Sequence, residues 1–486
     1  MSFDVVVIGS GPGGYKAAIT AAHLGAKVAL VEKGLAGGTC LNQGCIPKQT
    51  LLHLASLIED VNELQGLGLV GRVQGDFAAA MAHKNDVISG IRSNFTVWLK
   101  RLGIQVYSGR GRLLDATTVE VAPVEACGQP AGQVVSEPIR LTTRKVILAT
   151  GSEPRQLPAC PTDGHIVINS RDFMFDMNAL PESILFVGGG AIGVELGFLM
   201  HQFGSRVTVV EQGEQLLSQM RVSERAGSLL ERKFKRLGIE VRKNLTVAHC
   251  DTRGGVAEVT FSDGSQGRFE RVLVAIGRAP VTAGLGLEEA GVALTAEGFV
   301  RTSEHLETSV PGIYAIGDMK PGPMTANAAL HDAKVAATNA VNGNQTHSNY
   351  FKVPVVIHSA VEIAAVGLTE DQAEAAGFDA DVARASMGGS GKARAYHDYE
   401  GFIEVVHDAE TGQLLGGCIV GPEAGEQIQM LTAAVQSDRG LWFFKDMSYS
   451  HPSWCEELET AIDPYTSAFS RSNKTLFRPG IFAEHE

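Results

Sequence analysis

The sequence predicts an α/β chain: two Rossmann-like dinucleotide-binding domains followed by a C-terminal α+β domain. Three observations predict it. A strand, glycine loop, helix and strand open the chain; a second unit of the same design begins at Ser183; and such units stop at Pro354, where shorter apolar runs take over. With 486 residues the chain has room for about three domains.

The first unit begins with Asp4 to Ile8, a valine-rich run that reads as a buried parallel strand. Gly9-Ser10-Gly11-Pro12-Gly13-Gly14 follows, then an alanine-rich helix to about Leu24 and a strand, Lys27 to Val31, ending at Glu32. In a G-x-G-x-x-G turn so placed, Gly9, Gly11 and Gly14 let backbone approach a pyrophosphate at the helix amino terminus, and the acid takes a ribose hydroxyl.

The pattern recurs. Ser183 to Val187 is apolar, Gly188-Gly189-Gly190-Ala191-Ile192-Gly193 opens a helix, and the strand Arg206 to Val210 ends at Glu211. Glu211 follows Gly193 at the spacing by which Glu32 follows Gly14, so two dinucleotides are expected. An acid at 211 repels a 2′-phosphate, and Gln212, Gly213, Glu214 and Gln215 offer no arginine to receive one; NAD is expected rather than NADP.

Val146 to Ser152 reads as a strand running into a tight turn, with Ala275-Ile276-Gly277-Arg278 at the equivalent place in the second unit. Ala315-Ile316-Gly317-Asp318 is another strand-to-loop step, and Val119 to Glu137 is expected to form hairpins and loop. Beyond Pro354, Val355, Ile357, Ile363 and Val366, then Phe402 to Val406 and Gly416 to Val420, predict an antiparallel sheet, with helices over Thr369 to Ala376 and Glu426 to Ser437. The expected division is 1–153 and 281–352 for the first dinucleotide domain, 154–280 for the second, and 353–486 for the C-terminal domain.

A formal net charge of −13 argues against nucleic acid as a partner. No run approaches the roughly 18 apolar residues of a membrane span. Met1-Ser2-Phe3-Asp4 enters a strand directly, without the basic and apolar regions of a secretory signal. Seven cysteines in this length make no disulfide framework, so a reducing cytoplasm is expected. Cys127, Cys160, Cys250 and Cys418 are expected to be unreactive thiols and Cys455 a packing residue, leaving Cys40 and Cys45 to cycle. No CxxC pair or HExxH helix is present, so no metal site is expected.

Cys40 and Cys45 lie in Gly37-Gly38-Thr39-Cys40-Leu41-Asn42-Gln43-Gly44-Cys45-Ile46-Pro47-Lys48, with a spacing that suits one turn of helix. A disulfide across so short a loop adds little chain-entropy stabilisation, and thiol exchange is its more natural use. Two ordinary buried thiols are the alternative on spacing alone. GGTCLNQGCIPK resembles the redox-active segment of the flavoprotein disulfide reductases, in particular the branch that oxidises dihydrolipoyl groups. The resemblance implies Cys40 as the interchange thiol facing a dithiol and Cys45 as the thiol facing the flavin. It implies FAD in the unit the cysteines follow and NAD in the other. The cofactor-binding residues it implies are Gly9, Gly11, Gly14, Glu32, Thr39, Gly111, Gly151 and Asp318, the last on the flavin's ribityl chain, and Gly188, Gly190, Gly193, Glu195, Glu211 and Gly277.

Dithiol exchange needs a proton acceptor, because thiolate is the nucleophile and a free thiol has a pKa of about 8.5. Histidine titrates in the useful range, and a carboxylate can orient its ring. His451-Pro452-Ser453-Trp454-Cys455-Glu456 resembles the family's His-Pro…Glu motif. That implies a homodimer with His451 and Glu456 serving the active site of the other subunit, and a lipoyl carrier protein or 2-oxo acid dehydrogenase-type complex as partner.

Three positions depart from the family pattern. The lysine usual four residues after the second cysteine is Gln49 here, and Lys48 stands one place early. Glu195, which matches that lysine's partner, is therefore expected to lack a cation; losing about 1–2 kcal/mol of charge stabilisation makes a flavin roughly 20–40 mV harder to reduce. Asn327, in Met324-Thr325-Ala326-Asn327, stands where a histidine is usual, and His358-Ser359-Ala360-Val361-Glu362 has no proline before its glutamate. These departures leave room for a paralogue specialised for one lipoyl carrier. A glutathione-like substrate with NADPH is disfavoured by Glu211, and a redox-dead flavoprotein by the retained Cys40, Cys45, His451 and Glu456.

Overall fold

The computed structural model describes residues 1–124, 130–445 and 447–466. Cys127 and the cysteine-free tail from Arg471 lie outside them. The first sheet places strand Ser2–Ile8 between Val28–Glu32 and Ile139–Leu148, all parallel, with Gln105–Ser108 beyond the former and Ile313–Ala315 beyond the latter. The second repeats the design: Ser183–Val187 lies between Arg206–Val210 and Arg271–Val274, flanked by Glu240–Arg242 and Val167–Asn169. In both, the glycine loop leaves the middle strand at its carboxyl end, where an open parallel sheet binds its ligand. The valine and isoleucine side chains of both middle strands are almost wholly enclosed.

The anticipated C-terminal antiparallel sheet is present, in the order Val355–His358, Glu362–Gly367, Leu414–Val420, Phe402–Asp408 and Ala380–Ser386. Helices Glu370–Ala375 and Ala424–Gln436 match the two predicted there. The edge strand Ala380–Ser386 is not legible in the sequence: its alanines have little strand preference, and pairing with Phe402–Asp408 decides its conformation. Ile139–Leu148 likewise starts well before Val146. Its first half alternates between buried and exposed residues and pairs antiparallel with Thr118–Ala122, so only its enclosed end reads as a continuous apolar run.

Two long helices outside the predicted elements, Cys45–Glu63 and Phe77–Arg101, fill the space beside the sheets. Leu51, Leu52 and Ile58 of the first pack into one apolar cluster with Phe186 and Phe198 of the second unit and Ile357 and Ile363 of the C-terminal sheet. The helix that begins at Cys45 is thus held by three parts of the molecule at once.

The expectation that Cys160 and Cys250 are unreactive thiols is overturned. They form a disulfide, with Cα atoms 5.0 Å apart across 90 residues of sequence. Cys160 sits in the connection after Ser152–Pro154 and Cys250 on strand Val247–Asp251; the Cys250 N–H also donates to the Ala159 carbonyl at 3.0 Å, bringing the two backbones together. Tertiary proximity of this kind leaves no trace in cysteine spacing. Cys418 is buried, and burial pushes its thiol up to about 12.

Candidate functional site

The two glycine loops are built alike. Gly9 has φ +105° and Gly188 φ +112°, values L side chains rarely adopt. A Cβ on Gly9 would meet the Ala149 carbonyl, and one on Gly188 the Ala275 carbonyl. A Cβ on Gly14 or Gly193 would drive into the carbonyl of Gly9 or Gly188, so each third glycine lets its helix close on the loop. Helices Pro12–His23 and Ala191–Phe203 start at Gly11 and Gly190 with no side-chain cap. By contrast, Asp76, Asn169 and Thr325 cap their own helices. Uncapped amino termini leave N–H groups free for an anion, and these residues fit a pyrophosphate at each loop.

The acids are equally matched. Glu32 accepts from the Ser10 N–H at 2.8 Å and the Gly34 N–H at 2.7 Å; Glu211 accepts from the Gly189 N–H at 2.7 Å and the Gly213 N–H at 2.8 Å. Each carboxylate fixes its glycine loop to the end of the neighbouring strand. Asp318 accepts from the Ser152 hydroxyl at 2.5 Å, and Arg278 donates to that hydroxyl at 2.6 Å and to the Ser152 carbonyl at 2.7 Å. Burial pushes the Asp318 carboxyl up, opposed by its bonds to Ser152 and the charge of Arg278.

A cleft of about 1480 Å³ runs between the units. It is lined by Gly9, Gly11, Glu32, Thr39, Cys40, Cys45, Gly111, Gly151, Glu195 and Asp318. Gly14, Gly188, Gly190, Gly193, Glu211 and Gly277 are not on its walls; the second loop contributes Ala191 and Ile192.

The cysteines do not share one helical turn, as their spacing suggests. Helix Gly38–Gln43 carries Cys40 and stops at Gly44, whose φ −136° and ψ −105° break it, and a new helix begins at Cys45. The break turns the two sulfurs toward each other, and both are free thiols here. Interaction with the Cys40 thiol holds Cys45 below the ordinary thiol range, aided by Lys48 against the cost of burial. The same interaction, with burial and the Cys45 charge, pushes Cys40 up. Of the two, Cys45 is the one that ionises first.

The missing cation expected at Glu195 is also corrected. Lys48 Nζ lies 2.6 Å from Glu195 Oε1. Positions three and four residues along a helix share a face, and a lysine's long stem covers the difference between them. Glu195 also accepts from the His358 N–H at 3.0 Å. Sequence reasoning missed His358. It missed Tyr15 too, whose hydroxyl is pushed up by burial and then by the charges of Cys40 and Cys45; no spacing signal connects Tyr15 to residues so far along the chain.

His451 and Glu456 are paired but stand apart from these groups. His451 Nδ1 lies 2.6 Å from Glu456 Oε1, and the Ser453 N–H donates to Glu456 Oε2 at 2.7 Å. The Ser453 N–H first, and His451 second, hold the Glu456 carboxyl below its usual range. The imidazole is 82% exposed and lines no part of its own chain's cleft. A single chain therefore holds the sulfurs and the His–Glu pair in separate places.

Residues 3–333 match the family model described as pyridine nucleotide-disulphide oxidoreductase, and residues 353–462 match that family's dimerisation domain. The chain is 35% identical over 472 residues to the dihydrolipoyl dehydrogenase of Thermus scotoductus, covering 95% of this chain and 97% of that one. It is 33% identical over 454 residues to that of Geobacillus stearothermophilus, covering 93% of each. Among solved structures, LpdA from Mycobacterium tuberculosis superposes with a TM-score of 0.87 at 26% identity, over 95% of this chain and 99% of that one. The HOCl-induced flavoprotein disulfide reductase RclA from Escherichia coli gives 0.81 at 26% identity, over 95% and 100%.

Proposed function

Because this chain belongs to the pyridine nucleotide-disulphide oxidoreductases, we propose that it oxidises the dihydrolipoyl group of a lipoyl carrier protein to the cyclic disulfide, with FAD and NAD as cofactors. The observation that carries this reading is the sulfur pair: Cys40 and Cys45 together on the wall of a cleft that reaches both units, with Cys45, the neighbour of Lys48, the readier of the two to ionise.

In the oxidised enzyme Cys40 and Cys45 form the disulfide. His451 of one subunit, oriented by Glu456, takes a proton from a substrate thiol in the cleft of the other subunit. The resulting thiolate attacks Cys40 Sγ, and Cys45 leaves as a thiolate stabilised by Lys48. The second substrate thiol, deprotonated in turn, displaces Cys40 and closes the lipoyl ring. Gly9, Gly11, Glu32 and Asp318 would hold FAD, and Gly188, Gly190 and Glu211 would hold NAD. Bound there, the flavin supplies the two-electron link between the Cys45 sulfur and the nicotinamide. Among the described residues no helix is long and apolar enough to cross a membrane; a cytoplasmic setting, with a homodimer sharing its active sites, completes the proposal.

The test is complementation. Cys45→Ser and His451→Gln homodimers are each expected to lose at least about 100-fold in dihydrolipoamide oxidation with NAD. Mixed dimers, formed by unfolding and refolding the two together, recover part of the activity, because one of their two sites has both intact partners. Recovery absent from verified mixed dimers sinks the shared site. Preference for glutathione with NADPH over lipoamide with NADH sinks the substrate reading.

A further inference from the structure

One wall of the cleft carries His358, which forms with Glu362 a histidine–glutamate pair that the reaction above leaves unused. His358 ends strand Val355–His358, and Glu362 starts the strand paired with it. His358 Nδ1 lies 3.0 Å from Glu362 Oε1, which also accepts from the Gly425 N–H at 3.3 Å. The Ser359 hydroxyl donates to the Val194 carbonyl at 2.9 Å and ties the hairpin to the second glycine helix. The His358 N–H is one of the two donors holding Glu195; Lys48 is the other. Unlike His451, His358 lines its own chain's cleft, with Cys45, Lys48 and Glu195. Its side chain is 31% exposed, enough to exchange protons with solvent.

We propose that His358 and Glu362 form a proton-accepting pair coupled to reduction of the Cys40–Cys45 disulfide, acting through the Lys48–Glu195 ion pair. The proposal rests on the redox reading given above. Glu362 pairs with the ring from across the hairpin, the His358 N–H holds Glu195 on helix Ala191–Phe203, Lys48 on helix Cys45–Glu63 pairs with that carboxylate, and Glu426 lines the same cleft from helix Ala424–Gln436. Reduction adds a negative charge at Cys45, which already feels Lys48 and Glu195, and so raises the proton affinity of the network.

The step balances. NADH, the Cys40–Cys45 disulfide, neutral His358 and one solvent proton give NAD, Cys40 thiol, Cys45 thiolate and His358 imidazolium. The S–S bond breaks, the hydride's two electrons go to the sulfurs, its proton is counted on Cys40, and the solvent proton sits on His358. In the direction of dithiol oxidation the same pair releases that proton. His358 touches no reacting atom and is a positioning residue.

The readout is the midpoint potential of the Cys40–Cys45 couple in the flavin-loaded enzyme. It is poised in dithiol redox buffers, read by alkylation, and followed across the histidine range of about pH 5–8. One coupled proton moves a two-electron potential by about 30 mV per pH unit. In a His451→Gln background, which removes the other base, the enzyme is expected to show a segment with two protons per electron pair; adding His358→Gln leaves one throughout. Adding Glu362→Gln keeps the steeper segment but moves its upper end to lower pH. Identical pH slopes with and without His358→Gln in that background, with FAD bound in both, overturn the proposal while leaving the redox reading intact. Wild-type cysteines that neither NADH nor dihydrolipoamide reduces overturn both.

Discussion

Lys48 reaches Glu195 across 147 residues of sequence and closes an ion pair between the helix that begins at Cys45 and the helix of the second glycine loop. The Glu195 side chain is 3% exposed, so its charge depends on this cation and on the His358 N–H. Lys48→Gln is expected to raise the Cys45 pKa and lower the potential of the flavin-linked centre by roughly 20–40 mV, the equivalent of about 1–2 kcal/mol. Potentiometric titration measures the second effect. Gln49→Lys brings no comparable gain, because Glu195 already has its partner.

The two cysteines should titrate apart. In Cys40→Ser a hydroxyl still donates to the Cys45 sulfur, and thiolate absorbance persists below the ordinary thiol range. In Cys45→Ser the remaining thiol gives none there. Because the folded pKa of Cys45 is depressed, thiolate formation favours the folded state above the unfolded thiol pKa, and this contribution disappears as pH falls through the folded value. Ultraviolet titration of the two variants checks the assignment; equal profiles would contradict it.

The Cys160–Cys250 bridge closes a loop of 90 residues around the second sheet. On chain-entropy grounds the double variant Cys160→Ser/Cys250→Ser should lose about 4.6 kcal/mol, read as a lower urea midpoint with a steeper slope, because the unfolded chain without its cross-link exposes more surface. The connection from Ser152 to Cys160 also carries Gln156 on the cleft wall, and the Arg155 N–H bonds the Gly277 carbonyl at 3.0 Å. A weaker affinity for NADH should therefore accompany the lost stability.

Lys84 is almost wholly buried, and its ammonium donates to the Met174 carbonyl. Burial pushes its pKa down from 10.5 to about 8. The unfolded chain then binds more protons than the folded one between these values, so stability rises with pH from about 8 to 10.5. Urea midpoints across that window should climb in wild type relative to Lys84→Met; parallel curves would remove lysine as the cause.

The sequence by itself determined the repeated dinucleotide units, the acids that close them, the cysteine motif and the pairing of His451 with Glu456. Each is encoded over a short span: a glycine must stand where backbone touches backbone, and a valine run must enter a buried strand. Only the tertiary structure decided that Lys48 replaces the missing lysine, that Cys160 meets Cys250, that a helix break turns Cys40 toward Cys45, and that His358 enters the cleft. Those contacts depend on side-chain reach and on how three packed parts of the chain approach one another, and residue spacing along the chain carries no record of either.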